Sequence, residues 1–212
     1  MAELQTDTFL TVAGFKRTEL KIKASKFIAS ILPVINDLAA REFIEKMSAE
    51  FRDATHNCFA YRLGTGSDVR FRYSDAGEPS GTAGLAMLSA IESNGLTNVA
   101  LVVTRYFGGT KLGVGPLRRA YRDTAISVIR TSKVETRYLM QRFSFTVPYE
   151  ELKELKKILK SLDAEIFSEE YLNEARFIVD IRKSLAWDFE DRFKRITKGR
   201  APRPFTERKA HI

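Results

Sequence analysis

Apolar positions along this chain recur at two periods, and each stretch declares its element by which period it follows. Leu20, Ile22 and then Phe27 to Val34 alternate or run apolar between polar flanks, which predicts a strand ending near Pro33. Asp37 then stands where a helix cap belongs. Behind it Ala40, Phe43, Ile44, Met47 and Phe51 keep the 3,4 spacing that lines one helical face. Cys58 to Leu63 and Val69 to Tyr73 are short runs parted by GTGSD, whose glycines suit the tight turn of a hairpin. A helix from about Thr82 presents Leu85, Leu88 and Ile91 and stops at Asn94-Gly95. The run VALVVT, Val99 to Thr104, is apolar up to its last residue, as expected of a central strand covered on both faces. Pro116 suits the first turn of a further helix reaching about Arg130.

After Val134 the order of patterns changes. Arg142 to Val147 alternates as a strand, and Leu152, Leu155, Ile158, Leu159 and Leu162 mark a helix. Strands over Ala164 to Tyr171 and Ala175 to Ile181 follow, then a helix capped by Ser184 with Leu185, Phe189, Phe193 and Ile196 on one side. This βαββα order, closed by a final strand near Pro204-Phe205, predicts a ferredoxin-like plait. At 212 residues the chain has room for two small domains. The expected division is 1–134, 138–205 and a basic tail over 206–212.

Composition adds mostly exclusions. Hydrophobic residues at 44% and charged residues at 29% are globular values, which argues against disorder. No apolar run approaches the ~20 residues of a membrane span, and the N-terminus lacks the pattern of a signal peptide, so a cytoplasmic protein with no membrane partner is expected. One cysteine, Cys58, and two histidines, His56 and His211, cannot assemble an internal disulfide or a Cys/His zinc cluster, and neither metal nor cofactor is expected.

Charge changes the picture more. The chain carries 35 Lys and Arg against 27 Asp and Glu, a net +8 that points to a polyanionic partner. Residues 192–212 hold 8 basic and 1 acidic side chains. Within the rest, no acidic residue occurs between Ser93 and Arg122, whereas Arg105, Lys111, Arg118, Arg119 and Arg122 all do.

Seven of the 12 glycines fall in two stretches, YSDAGEPSGTAG (Tyr73 to Gly84) and VVTRYFGGTKLGVGPLRRAY (Val102 to Tyr121). Such density implies tight turns or close backbone approach. Together with KASKFIA at Lys23 and ATHNCFAYR at Ala54, these stretches resemble the IMPACT family, and the length resembles its two-domain bacterial members of YigZ type. The resemblance departs at Ala76, where the family commonly has an acidic residue, and at Pro116, where it commonly has glycine. It implies an α+β protein: an N-terminal ribosomal protein S5 domain 2-like fold, similar to domain IV of the translocation elongation factor, followed by a plait like that factor's domain V. It also implies a non-enzymatic, nucleic-acid-binding role around translation or its regulation, with RNA or the ribosome as partner. The RWD domain of eukaryotic relatives is absent, so no RWD-mediated partner is expected.

Two sets of candidate residues follow. The loop GGTKLGVG leads into the helix at Pro116, and free amides at a helix start beside a lysine can hold phosphate. Arg105, Gly108, Gly109, Lys111, Arg118, Arg119 and Arg122 are therefore the phosphate-contacting set, with Tyr106 and Phe107 placed to stack on unpaired bases. The rival reading is a hydrolase-like site in which Ser80 is nucleophile, His56 base, and Asp75 or Glu78 orients the imidazole. Against it, GEPSG is not a nucleophile elbow, and Ser80 sits where a helix cap is expected.

Overall fold

A computed structural model describes residues 7–205. The elements run β1 (Thr8–Val12), β2 (Lys16–Ile22), β3 (Ser25–Pro33), α1 (Asp37–Glu50), β4 (His56–Leu63), β5 (Arg70–Ser74), α2 (Gly84–Ser93), β6 (Val99–Tyr106), α3 (Val114–Thr131) and β7 (Val134–Tyr138). They continue with β8 (Met140–Val147), α4 (Leu152–Ser161), β9 (Glu165–Tyr171), β10 (Ala175–Arg182), α5 (Ala186–Ile196) and β11 (Arg203–Pro204). These residues divide into two compact units. One is Phe9–Arg137; Asp7 and Thr8 group with the residues from Tyr138 onward in the other.

In the first unit β6 lies at the centre of an antiparallel sheet ordered β2-β3-β6-β4-β5. Its continuous apolar run is explained by cover on both faces. Val99, Leu101 and Val103 belong to the core under α2 and α3, while Ala100 and Val102 belong to the core under α1. Strand parity then fixes the direction of the next residue: Arg105 follows Leu101 and Val103 by steps of two and enters the α2/α3 side. The expected single first strand is two strands, β2 and β3, paired antiparallel around a turn at Lys23-Ala24 where Lys23 adopts φ 52°. Strands β1 and β7 pair in a small separate sheet; β1 reads TFLTV, with Val12 buried in the core, and β7 reads VETRY. The cap of α1 is Asn36, whose side chain accepts from the Ala39 amide, and Asp37 is the first helical residue. Helix α2 begins at Gly84, two residues later than its apolar spacing suggested.

The second unit is a four-stranded antiparallel sheet ordered β11-β8-β10-β9, with the last strand beside the first and the third between first and second, the ferredoxin-like arrangement. Its core is aromatic. Phe145 meets Phe189 and Phe193 with ring centroids 5.7 and 4.8 Å apart, and each buried ring adds roughly 1.5–3 kcal/mol of transfer free energy. Ser184, expected as a cap, lies in a short 3-10 turn ahead of α5 and its hydroxyl donates instead to the Asp7 carboxylate. The basic tail 206–212 lies outside the described residues. Among the described residues no helix is long and apolar enough to cross a membrane.

Candidate functional site

The two glycine-rich stretches meet at one end of the first unit, and the reason is a buried charge. Arg105, at the end of β6, pairs across the sheet with Phe27 on one side and His56 on the other. Its side chain is only 5% exposed, so it requires an internal counterion. Glu78, from the loop after β5, supplies it: Arg105 Nη1 donates to Glu78 Oε1 at 2.6 Å, and the Tyr121 hydroxyl of α3 donates to the same oxygen at 2.7 Å. Arg105 Nη2 reaches Ser25 Oγ at 3.3 Å, while its Nε is buried without a hydrogen-bond partner. Phe27 and Phe107 each lie with ring centroids 5.4 Å from the guanidinium.

Around this pair the neighbouring groups are tightly specified. The Cys58 thiol lies 3.0 Å from the Asp75 carbonyl and 3.4 Å from the Tyr121 hydroxyl. Burial, with the Glu78 and Asp75 carboxylates nearby, pushes that thiol up to about 12. Burial likewise raises the Tyr121 phenol, so both stay protonated near neutral pH. His56 is tethered through Nδ1 to the Ala76 carbonyl at 2.9 Å, which leaves Nε2 facing Glu78 Oε2 at 3.7 Å. Ala76 thus acts through its carbonyl.

Asp75 has a different task. Its carboxylate accepts from the amides of Gly81 at 2.7 Å and of Ala83 and Gly84 at 2.9 Å each, closing the N-terminus of α2. Burial alone would push the group up, but the three donors outweigh it and hold the carboxyl below its usual range. The capping role expected of Ser80 is therefore performed by Asp75. Ser80 is exposed, and among the described residues no hydrogen bond joins it to His56.

The set expected to contact phosphate divides in two. Arg105 is withdrawn into the ion pair, and the Tyr106 hydroxyl donates to Asp53 at 2.9 Å under Lys26. Lys111, Arg118, Arg119 and Arg122 are exposed at or near the start of α3. Arg118 donates to the Gly81 carbonyl at 3.2 Å and Arg122 lies 3.9 Å from Asp123, while Lys111 and Arg119 form no ion pair among the described residues. The N-terminus of α3 has no side-chain cap and its first turn no acidic residue, and the exposed Arg118, Arg119 and Arg122 follow in the second and third turns. Gly108 lets the chain pass the preceding turn: a Cβ there would stand 1.8 Å from the Ala24 carbonyl oxygen. Gly109, at φ 85°, turns the loop outward.

Between this rim and the buried pair lies a cleft of about 320 Å³. Phe107, Leu112, Val114 and Leu117 form its walls, Glu78 and Arg105 line it, and Lys111 contributes from the loop. Sequence reasoning missed the Glu78–Arg105–Tyr121 group, although a lone arginine continuing the inward parity of an apolar strand was its available signal. Among the described residues no group of three or more His, Cys, Asp or Glu is arranged to hold a metal ion.

Comparison with known proteins bears on the same region. The Impact N-terminal domain matches residues 23–129, which include every residue of the cleft and rim. A Bacillus subtilis protein, IMPACT family member YvyE, is 36% identical over 162 residues, 73% of this chain and 74% of its own. IMPACT family member YigZ of Escherichia coli is 32% identical over 152 residues, 71% of this chain and 74% of its own. A solved crystal structure of a hypothetical protein superposes on 96% of this chain and 99% of that one, with a TM-score of 0.70 at 26% identity.

Proposed function

The chain belongs to the IMPACT family, and from that premise we propose that it is a non-enzymatic nucleic-acid-binding protein, associated with RNA or the ribosome and acting in translation or its regulation. The observation that carries the reading is the exposed start of α3. Like charges crowded on one exposed surface are unfavourable unless an anion joins them, and Arg118, Arg119 and Arg122 stand exposed in the second and third turns of α3 with Lys111 close by in sequence. Translation as the setting is what membership of the IMPACT family implies.

Four exposed contacts on a single strand give a log-log salt slope of about −2.8, from ~0.7 per contact. The test replaces Arg118 and Arg119 together with alanine and follows single-stranded RNA binding across a salt series. The slope is expected to fall in magnitude by about 1.4. Affinity and slope both unchanged would place the contact elsewhere, including on residues 206–212.

A further inference from the structure

The cleft beneath the rim does not suit a phosphate. Its walls are predominantly apolar, and the one cation deep within it, Arg105, is already neutralised by Glu78 at 2.6 Å. Moving a phosphate dianion there would strip its hydration without a free counter-charge. What the walls do suit is a flat apolar face. Phe107 is 43% exposed, its backbone amide is held by Thr55 Oγ1 at 3.0 Å, and its ring is free to stack on the side away from the guanidinium. Behind it the cleft offers a carboxylate and a guanidinium side by side, an acceptor next to a donor. Glu78 Oε2 is no closer than 3.7 Å to the His56 ring nitrogen, and Arg105 Nε, buried without a partner, becomes a donor to a ligand once the Arg105 side chain turns toward the cleft. That combination matches the edge of a nucleobase, which presents N–H donors beside carbonyl or ring-nitrogen acceptors. The volume, about 320 Å³, lies at the small end of ligand pockets and admits one base rather than several.

We propose that this cleft takes a single unstacked base of an RNA strand, stacked on Phe107 with its polar edge toward Glu78 and Arg105, while Lys111 and the arginines of α3 hold the flanking phosphates. The inference rests on the phosphate reading above and adds the part of the ligand that the phosphates cannot supply. It also divides the labour between the two candidate sets: the rim is electrostatic and salt-sensitive, the cleft is not.

The experiment compares fluorescence anisotropy of the full chain with a short single-stranded RNA and with an abasic ribose-phosphate strand of equal length and charge. The base-bearing strand is expected to bind roughly 5- to 150-fold more tightly, the range for one stacked base. Phe107→Ala should reduce it to the abasic level and Phe107→Tyr should restore it, with abasic binding unchanged in both. Val114→Trp, at a position 60% exposed on the cleft wall, should likewise abolish the preference by filling the space. Equal binding of the two strands overturns the cleft while leaving the phosphate reading intact, as does a preference that survives both Phe107→Ala and Val114→Trp. Binding of a free mononucleotide with no gain from the strand overturns the assignment to RNA. Failure of both strands to bind removes the phosphate reading and this proposal with it.

Discussion

Replacing Asp75 with alanine tests whether one carboxylate, rather than the neighbouring serine, organises the glycine-rich loop. The side chain accepts three backbone hydrogen bonds, from Gly81, Ala83 and Gly84, and the last two amides belong to buried residues. Loss of a helix cap costs about 1 kcal/mol, and each buried amide left without a partner costs about 1–3 kcal/mol. Water can reach the loop and recover part of this, so ~3 kcal/mol is the expected destabilisation, equivalent to a fall of about 10 °C in the melting of the first unit. Asp75→Asn keeps one acceptor and should lose about half as much. Ser80→Ala should stay within about 0.5 kcal/mol of the wild type, because the hydroxyl caps nothing. The only tryptophan, Trp187, lies in the other unit, so far-UV circular dichroism or hydrogen exchange of the α2 amides is the suitable readout.

The pH dependence has a definite sign. Burial would raise Asp75, but its backbone donors lower it overall, so its folded value lies below its unfolded one. Its contribution is fully present above the unfolded carboxylate value of about 3.9 and disappears as pH falls through the lower folded value. The gap between wild type and Asp75→Ala should therefore be widest near neutrality and close in acid. A gap that stays constant into acid, or an alanine variant as stable as the wild type at neutral pH, refutes the assignment.

Two further outcomes follow from the same region. Cys58, buried and with its thiol pushed up to about 12, should resist alkylation at about pH 8 in the native protein and react once denaturant is added; rapid labelling of the native chain counts against its burial. Gly108→Ala should destabilise the first unit by about 2 kcal/mol or more in denaturant titration, because its Cβ would sit 1.8 Å from the Ala24 carbonyl oxygen, whereas Gly109→Ala meets open space and should cost only the ~1 kcal/mol of its positive φ. Equal effects of the two alanines would contradict the close approach.

How much of this was legible in the residues depends on range. The 3,4 spacing of Ala40, Phe43 and Met47 and the unbroken run of β6 each report burial of a local stretch, and those elements appear where the pattern put them. The α+β class and the plait's order were readable for the same reason. Strands β1 and β7 were not, since each is only five residues long, too short for a period to stand out even though β1 carries Phe9, Leu10 and Val12. Capping was misplaced at Asn36, Asp75 and Ser184 because several side chains near each helix start are chemically able to cap, and backbone geometry selects among them. The site divided along the same line. The exposed arginines of α3 were found by charge alone. The bond from Arg105 to Glu78 spans 27 residues and that from Tyr121 spans 43, so neither had a sequence period to reveal it.

The segment Phe9–Arg137 is an insertion within the second unit, whose residues begin with Asp7 and Thr8 and resume at Tyr138. Asp7 accepts from the Leu139 amide at 2.6 Å and from Ser184, so residues synthesised first are completed by residues synthesised last. Were the intervening stretch unfolded, bringing its ends together would cost about 4 kcal/mol in chain entropy. Once folded, it holds those ends in paired strands β1 and β7, and that entropy is no longer lost when the plait forms. The glycine-rich unit should accordingly fold first and template the other, an order that pulsed hydrogen exchange reads directly as early protection of β3 and β6 and later protection of β8 and β10.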